Sequence, residues 1–438
     1  MIILKRFIWT LLGLFLIGCS ALPFKPIEPG LPETAPTKTL ANVSPSTRVV
    51  PLVLTPTAAP TPAGPPRLRV WVPPQFDPSA ETPASKLLRQ RLNEFSQRRP
   101  DVPIEVRVKG LDGPGGLYES LVTTTSAAQL AMPDLVLLPH PLIQTAAAKG
   151  LLRPMNGLTN ALDDPDWYDY GRQLAGLQNS IFGLPFAGDA LAQIYRTGEN
   201  VQPGTNWQSI LEAKNPFVFS AADPQALFTL AMYQAVGGKI ADDQGKPMLE
   251  VDPLVKVLDF YKSAEAAGTM PSWLTQFQDD DQAWQALLDN RAGALVTWLS
   301  KINQEGLGNS AVSEIPTPAG EPFTLSTGWA WSLTSPDPQR RQLAVQLAEF
   351  LTESNFMGRW SEAAGVLPAR PSAFKAWDSD YDVEKIKTIA ASAHLYPSAD
   401  VLDVLGPALE EAVVAVLKGQ QGALEAAQAA VKQISTPK

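Results

Sequence analysis

Apolar and polar residues alternate along Arg67-Leu68-Arg69-Val70-Trp71-Val72, a period of two that predicts a strand, closed by Pro73-Pro74. Pro83 suits the first turn of a helix, and Leu88, Leu92 and Phe95 then share one face. Ile104-Glu105-Val106-Arg107-Val108 alternates again. A glycine-rich turn (Gly110 to Gly116) leads to a second helix near Leu117 to Leu130, and Asp134 to Leu138 is an apolar run fit for a buried strand. A helix near Pro141 to Lys149 follows, stopped by Gly150. Strands separated by helix-length segments predict a parallel sheet with helices on its faces.

Further along, the period lengthens. Val255, Leu258 and Tyr261 share a face, as do Leu343, Leu347 and Phe350, while Leu409, Val413, Val416 and Leu417 form another stripe. Short β-like runs interrupt these helices at Phe217–Phe219, Ala294–Thr297 and Gly328–Leu333. The acidic run Asp279-Asp280-Asp281 lacks the ligand spacing of a calcium loop and reads as a solvated turn.

The N-terminal pattern is different in kind. Lys5 and Arg6 precede an uncharged apolar run, Phe7 to Ile17, too short to span a bilayer permanently and fit for the core of a signal peptide. The run ends in Leu16-Ile17-Gly18-Cys19, which resembles the bacterial lipobox. That resemblance implies cleavage after Gly18 and lipidation of Cys19, so residues 1–18 are read as a signal peptide. Twelve prolines and seven threonines fall between Ser20 and Pro66. Residues 19–66 are therefore expected to be a lipidated cysteine and a disordered, extended tether with a reach of roughly 145 Å at most.

Composition narrows the function. The formal charge of -9 argues against nucleic-acid binding. One cysteine and two histidines supply neither a disulfide nor a thiolate metal site, and histidine-based catalysis is poorly provided. Gly-x-Ser-x-Gly and His-Glu-x-x-His are absent, Gly237-Gly238-Lys239-Ile240 lacks the spacing of a phosphate loop, and Gly113-Pro114-Gly115-Gly116 lacks the final glycine of a dinucleotide fingerprint. No cofactor is expected. The chemistry left open is a pair of carboxylates, which suffices for glycoside hydrolysis. The alternative reading is accordingly a membrane-anchored carbohydrate-active enzyme.

The ordered landmarks resemble the extracellular solute-binding proteins of bacterial ABC transporters, of the carbohydrate type (family 1). They are Pro133-Asp134-Leu135-Val136, the stretch Ala148 to Met155, Gly183-Leu184-Pro185-Phe186 through Ile194-Tyr195-Arg196, and Asn206 to Leu211. Beyond these come Arg291 to Trp298, Gly328-Trp329-Ala330-Trp331-Ser332-Leu333, and Val366-Leu367-Pro368-Ala369-Arg370. The resemblance implies an α/β, two-lobe periplasmic-binding-protein (type II-like) fold with hinge crossings and an interlobe cleft. It implies one lobe of 67–187 plus 294–325 and another of 190–292 plus 328–438. Crossings would fall near Ala187-Gly188-Asp189, Leu325-Ser326-Thr327 and Ala292-Gly293. It implies a non-enzymatic, monomeric receptor, lipid-anchored on the periplasmic or cell-surface side, that takes a sugar or oligosaccharide by hinge closure and delivers it to ABC permease transmembrane subunits.

A sugar offers an apolar face to aromatic rings and hydroxyls to polar groups. Candidates beyond the carboxyl ends of strands are Gln75 and Phe76 after the first strand, Tyr118 at the second helix and His140 after the third strand. Asp189 lies at the first crossing and Trp298 at the end of a β-run. Trp329 and Trp331 flank the last crossing, one expected in the cleft and one in the core, with Trp329 favoured for the cleft. Arg370 enters from the resemblance alone.

Overall fold

The computed structural model describes residues 67–127, 131–198, 203–306, 308–378 and 382–435. The expected signal peptide 1–18, Cys19 and the tether 19–66 lie outside the described residues. Strand β1 (Leu68–Val72) buries all its side chains but Arg69. In α1 (Pro83–Arg98) the Ser85 amide donates to the Thr82 hydroxyl at 3.1 Å, a side-chain cap, and Leu88, Leu92 and Phe95 are buried. Then come β2 (Ile104–Val108), α2 (Leu117–Ala127), β3 (Leu135–Pro139) and α3 (His140–Ala148), in the expected alternation. β1 pairs in parallel with both other strands, Leu68 against Ile104 and Val70 against Leu135.

Next are α4 (Asp169–Ala175), the hairpin β4 (Gly176–Leu177) with β5 (Ser180–Ile181), and β6 (Gly183–Arg196). The middle of the chain holds α5 (Trp207–Leu211), β7 (Phe217–Val218), α6 (Leu227–Ala235), α7 (Val251–Ala266) and α8 (Asp280–Leu288). After these run β8 (Ala294–Trp298), α9 (Ser300–Glu305), β9 (Ser310–Ser313) and β10 (Thr324–Leu333). The remainder is α10 (Pro338–Leu351), α11 (Ser354–Ala364), β11 (Leu367–Pro368), α12 (Val383–Ala391), β12 (Ala393–Leu395), α13 (Ala399–Leu417) and α14 (Ala423–Ser435).

Two long strands, β6 and β10, serve both lobes. Their first-lobe ends pair with each other, Leu184 against Trp331, and β10 pairs with β3, Leu137 against Trp331. Past Ala190 the partners change: Leu191 to Tyr195 pair with β8, Gln193 to Arg196 with β9, and β8 with β7. Gly188 and Gly328 stand opposite each other just before the changeover. A Cβ on Gly188 would lie 2.3 Å from the Tyr170 hydroxyl, and one on Gly328 would lie 2.6 Å from the Ala187 carbonyl. Glycine is required there by close approach, not by a left-handed φ.

Alternation along the strands divides the first lobe into two packed faces. Val70, Leu135, Leu184 and Trp331 pack with α1, α10 and α11, while Trp71, Val136, Leu138 and Ala330 pack with α2 and α3. The second lobe has one core, in which Ile194, Leu295, Tyr261 and the α13 stripe Leu409, Val413, Val416 and Leu417 are all buried.

Strand pairing corrects the expected division of the chain. Residues 294–298 pair with β7 and the far end of β6, so β8 belongs to the second lobe and not to the first. Trp331 and Leu333, with α10 and α11, are in the first lobe's core, so the stretch from 329 to 364 belongs there and not to the second. Ala292-Gly293 is not a crossing: the Gly293 amide donates to Pro216 O within the second lobe. The chain's third passage between lobes follows α11, where Leu367 and Pro368 pair with Gly188 and Ala187. A short β-run shows by itself neither which strand it joins nor in which direction, and the misassignment came from that. Among the described residues, no helix is long and apolar enough to cross a membrane.

Candidate functional site

A cleft of about 430 Å³ opens where β6 and β10 change sheets. Its first-lobe wall carries Pro139, at the end of β3, and Trp329, which is registered against it on β10. Its second-lobe wall carries Thr297 and Trp298 of β8, Ser300 and Lys301 of α9, Asp280 and Asp281 of α8, and Gln225 with Leu227 before and at the start of α6. Asp189 and Thr327 lie on the crossing strands, and Tyr396 follows β12. Wall residues thus come from both lobes and from the strands that join them.

Asp189 is buried, and its Oδ1 accepts from the amides of Ala190 at 2.9 Å and Ser300 at 3.1 Å. Burial pushes its carboxyl up to about 6, against the pull of those bonds, and the Asp280 charge adds to the rise. Asp280 also rises, again mainly through burial, although hydroxyls of Ser220 (2.8 Å) and Thr297 (2.9 Å) donate to it. Lys301 pairs with Asp281. The half-buried Trp298 and Tyr396 rings meet edge-on, 6.1 Å between centroids. The Trp329 ring is backed edge-on by Phe76 at 5.4 Å, and its indole N–H finds no acceptor among the described residues.

Of the residues singled out from sequence, the fold brings Asp189, Trp298 and Trp329 to this cleft. Trp331 is not there. Residues two apart on a strand share a face, so Trp329 and Trp331 do not alternate; Trp331 lies one step deeper, sealed against Phe186 in the first lobe's core. Phe76 is core as well, stacked on Trp360 at 5.3 Å, and acts on the cleft only by supporting Trp329. Gln75 is exposed in the turn before it and does not line the cleft. Tyr118 packs against the α2–α3 face with Lys149 5.4 Å over its ring, also away from the cleft.

His140 is buried behind the wall. Its Nε2 bonds the Tyr396 carbonyl at 3.0 Å, which assigns the proton to that nitrogen, and burial lowers its pKa so that the ring stays neutral. It positions Tyr396 and does not touch the cleft. Arg370 is spent elsewhere: it donates to Thr352 O at 3.0 Å and to Asp164 at 2.8 Å and lies 3.8 Å over the Trp167 ring. It fastens the segment after β11 to the first lobe.

Sequence reading missed Gln225, Asp280, Asp281, Lys301 and Tyr396. The acidic run gave a usable signal, since Asp279 caps α8 by accepting from the Gln282 amide at 3.0 Å, which turns Asp280 inward. It is a helix start, not the solvated turn its composition suggests. Tyr396 had no local signal, because its place depends on β12 pairing with Thr324–Ser326 of β10.

A sequence profile described as bacterial extracellular solute-binding protein matches residues 90–388. No curated protein matches the chain in sequence. Among solved structures, the chain is similar to the sugar-binding protein MalE of Xanthomonas citri at 15% identity and TM-score 0.69, over 84% of this chain and 96% of that one. It is similar to maltose-binding MalE of Listeria monocytogenes in complex with maltose, at 15% identity and TM-score 0.68, over 86% and 100%. An ABC transporter solute-binding protein of Thermotoga lettingae bound with α-D-tagatose is similar at 22% identity and TM-score 0.61, over 84% and 98%. These likenesses bear on the fold, two lobes joined by crossing strands.

Proposed function

The chain belongs to the bacterial extracellular solute-binding proteins, and on that premise we propose that it captures a sugar or oligosaccharide in the interlobe cleft and hands it to the transmembrane subunits of an ABC importer. Membership of an extracellular family puts its work outside the cytoplasm. The observation that carries the sugar reading is the pairing of walls: Trp329 from one lobe and Trp298 from the other border one cleft, with Asp189 on the strand between. Indole faces take the C–H side of a pyranose, and the hydroxyls of Thr297, Ser300 and Thr327, with the carboxylates, take its rim. A solute that touches both walls only in the closed form shifts the population toward closure. Of the structural relatives named above, one is described as sugar-binding, one as maltose-binding and one as bound with α-D-tagatose, which agrees with this choice of solute.

Cys19 carries the lipid in this account, and residues 20–66 let the receptor stand off from the membrane. The sugar is released unchanged. Asp189 and Asp280 already accept bonds from Ala190, Ser300, Ser220 and Thr297, an arrangement that holds walls in place and does not favour the paired-carboxylate enzyme. The test is thermal unfolding against a panel of sugars and polyols. A solute at a hundred times its Kd stabilises the native state by about 2.7 kcal/mol. No shift with any sugar overturns the reading, and new reducing ends in the mixture transfer it to the enzyme alternative.

A further inference from the structure

The charge on the cleft wall is one-sided. Among the described residues its charged lining side chains are Asp189, Asp280, Asp281 and Lys301, and Lys301 is paired with Asp281. Among the described residues no guanidinium lines it. Asp189 and Asp280 are bonded to amides and hydroxyls, which orient the carboxylates without neutralising them. The field extends behind the wall: Asp223, whose carboxyl accepts from the amides of Gln225 and Leu227, feels the Asp280 charge, and Glu410 feels that of Asp223. The same cleft is bordered by three half-buried aromatic rings, Trp298, Trp329 and Tyr396, whose faces attract cations.

A neutral sugar would use the rings and the acceptors but leave the excess negative charge uncompensated. A sugar carboxylate would be repelled by it. A protonated amine answers both features, since it donates up to three hydrogen bonds to carboxylates and is attracted to indole faces. We propose that the solute is an amino sugar, a pyranose unit with a free ammonium group held at the Asp189–Asp280 side of the cleft between Trp298 and Trp329. This rests on the sugar reading above and narrows it.

The experiment is titration calorimetry on the mature chain with matched sets: hexose, hexosamine and hexuronate in the gluco, galacto and manno series, and cellobiose against fully deacetylated chitobiose. In the set whose stereochemistry fits, the amine is expected to bind at least tenfold more tightly than its neutral partner, and the uronate not measurably. Raising salt from 50 to 500 mM should weaken the amine several-fold and leave the neutral sugar unchanged. Asp280→Asn should cut the amine's advantage to under threefold. Asp281→Asn, at an exposed carboxylate, should reduce it in the same direction. Neutral sugars that bind as well as or better than their amines overturn the amino-sugar inference and leave the sugar reading standing. Absence of binding by every member of every set overturns both.

Discussion

Trp329 occupies the cleft because β10 brings it level with Pro139 and because Phe76 stands behind its ring. Trp329→Ala removes a stacking face, and affinity for the captured sugar should fall by about 2 kcal/mol, roughly thirtyfold, in titration calorimetry. Arg370→Ala is expected to behave differently. It releases bonds to Thr352 and Asp164 and the stack on Trp167, so chemical denaturation should show a loss of roughly 1–3 kcal/mol while affinity stays within twofold. Asp189 gives a pH signature. Its folded pKa of about 6 stands above the ordinary carboxylate value of about 3.8 in the unfolded chain, so the native state binds the proton more tightly and loses stability as pH rises from about 4 to about 6. Asp189→Asn removes that loss: its melting temperature should exceed wild type above pH 6, with the gap closing toward pH 4. At this scale sequence was informative where position along a strand decides exposure, as for Trp298. It misled for Arg370, whose partners Asp164 and Thr352 are remote in sequence.

The elements that matter most are the two shared strands. Gly188 and Gly328 face each other where the sheets part, and neither has room for a Cβ. Gly328→Val should therefore cost on the order of 2 kcal/mol or more, read as a shift of the urea midpoint. The first strands and helices were legible because period-two and period-3.6 patterns in Leu68–Val72 and Pro83–Arg98 are local properties. The destination of β8 was not. Ala294–Trp298 reads as a strand in isolation, but its partners Leu191–Tyr195 and Phe217–Val218 are chosen by the second lobe's core. The acidic start of α8 was misread for a related reason: an N-cap at Asp279 looks like a solvated turn until Asp280 is seen reaching Ser220, in the loop after β7, and Thr297 of β8.

For the whole molecule, three passages of chain join the lobes, β6, β10 and the segment around β11, and they would serve as hinges in the proposed closure. Small-angle scattering should show a smaller radius of gyration with saturating sugar, and an unchanged radius would count against hinge closure. Cys19→Ser in the bacterial host should move the protein from the membrane to the soluble extracytoplasmic fraction. The claim on which the rest depends is that both lobes grip one solute. A crystal structure of the sugar complex tests it most directly: density for a sugar ring between Trp329 and Trp298, within hydrogen-bond distance of Asp189 or Asp280, is predicted, whereas a sugar seated on one lobe alone or outside this cleft would contradict it.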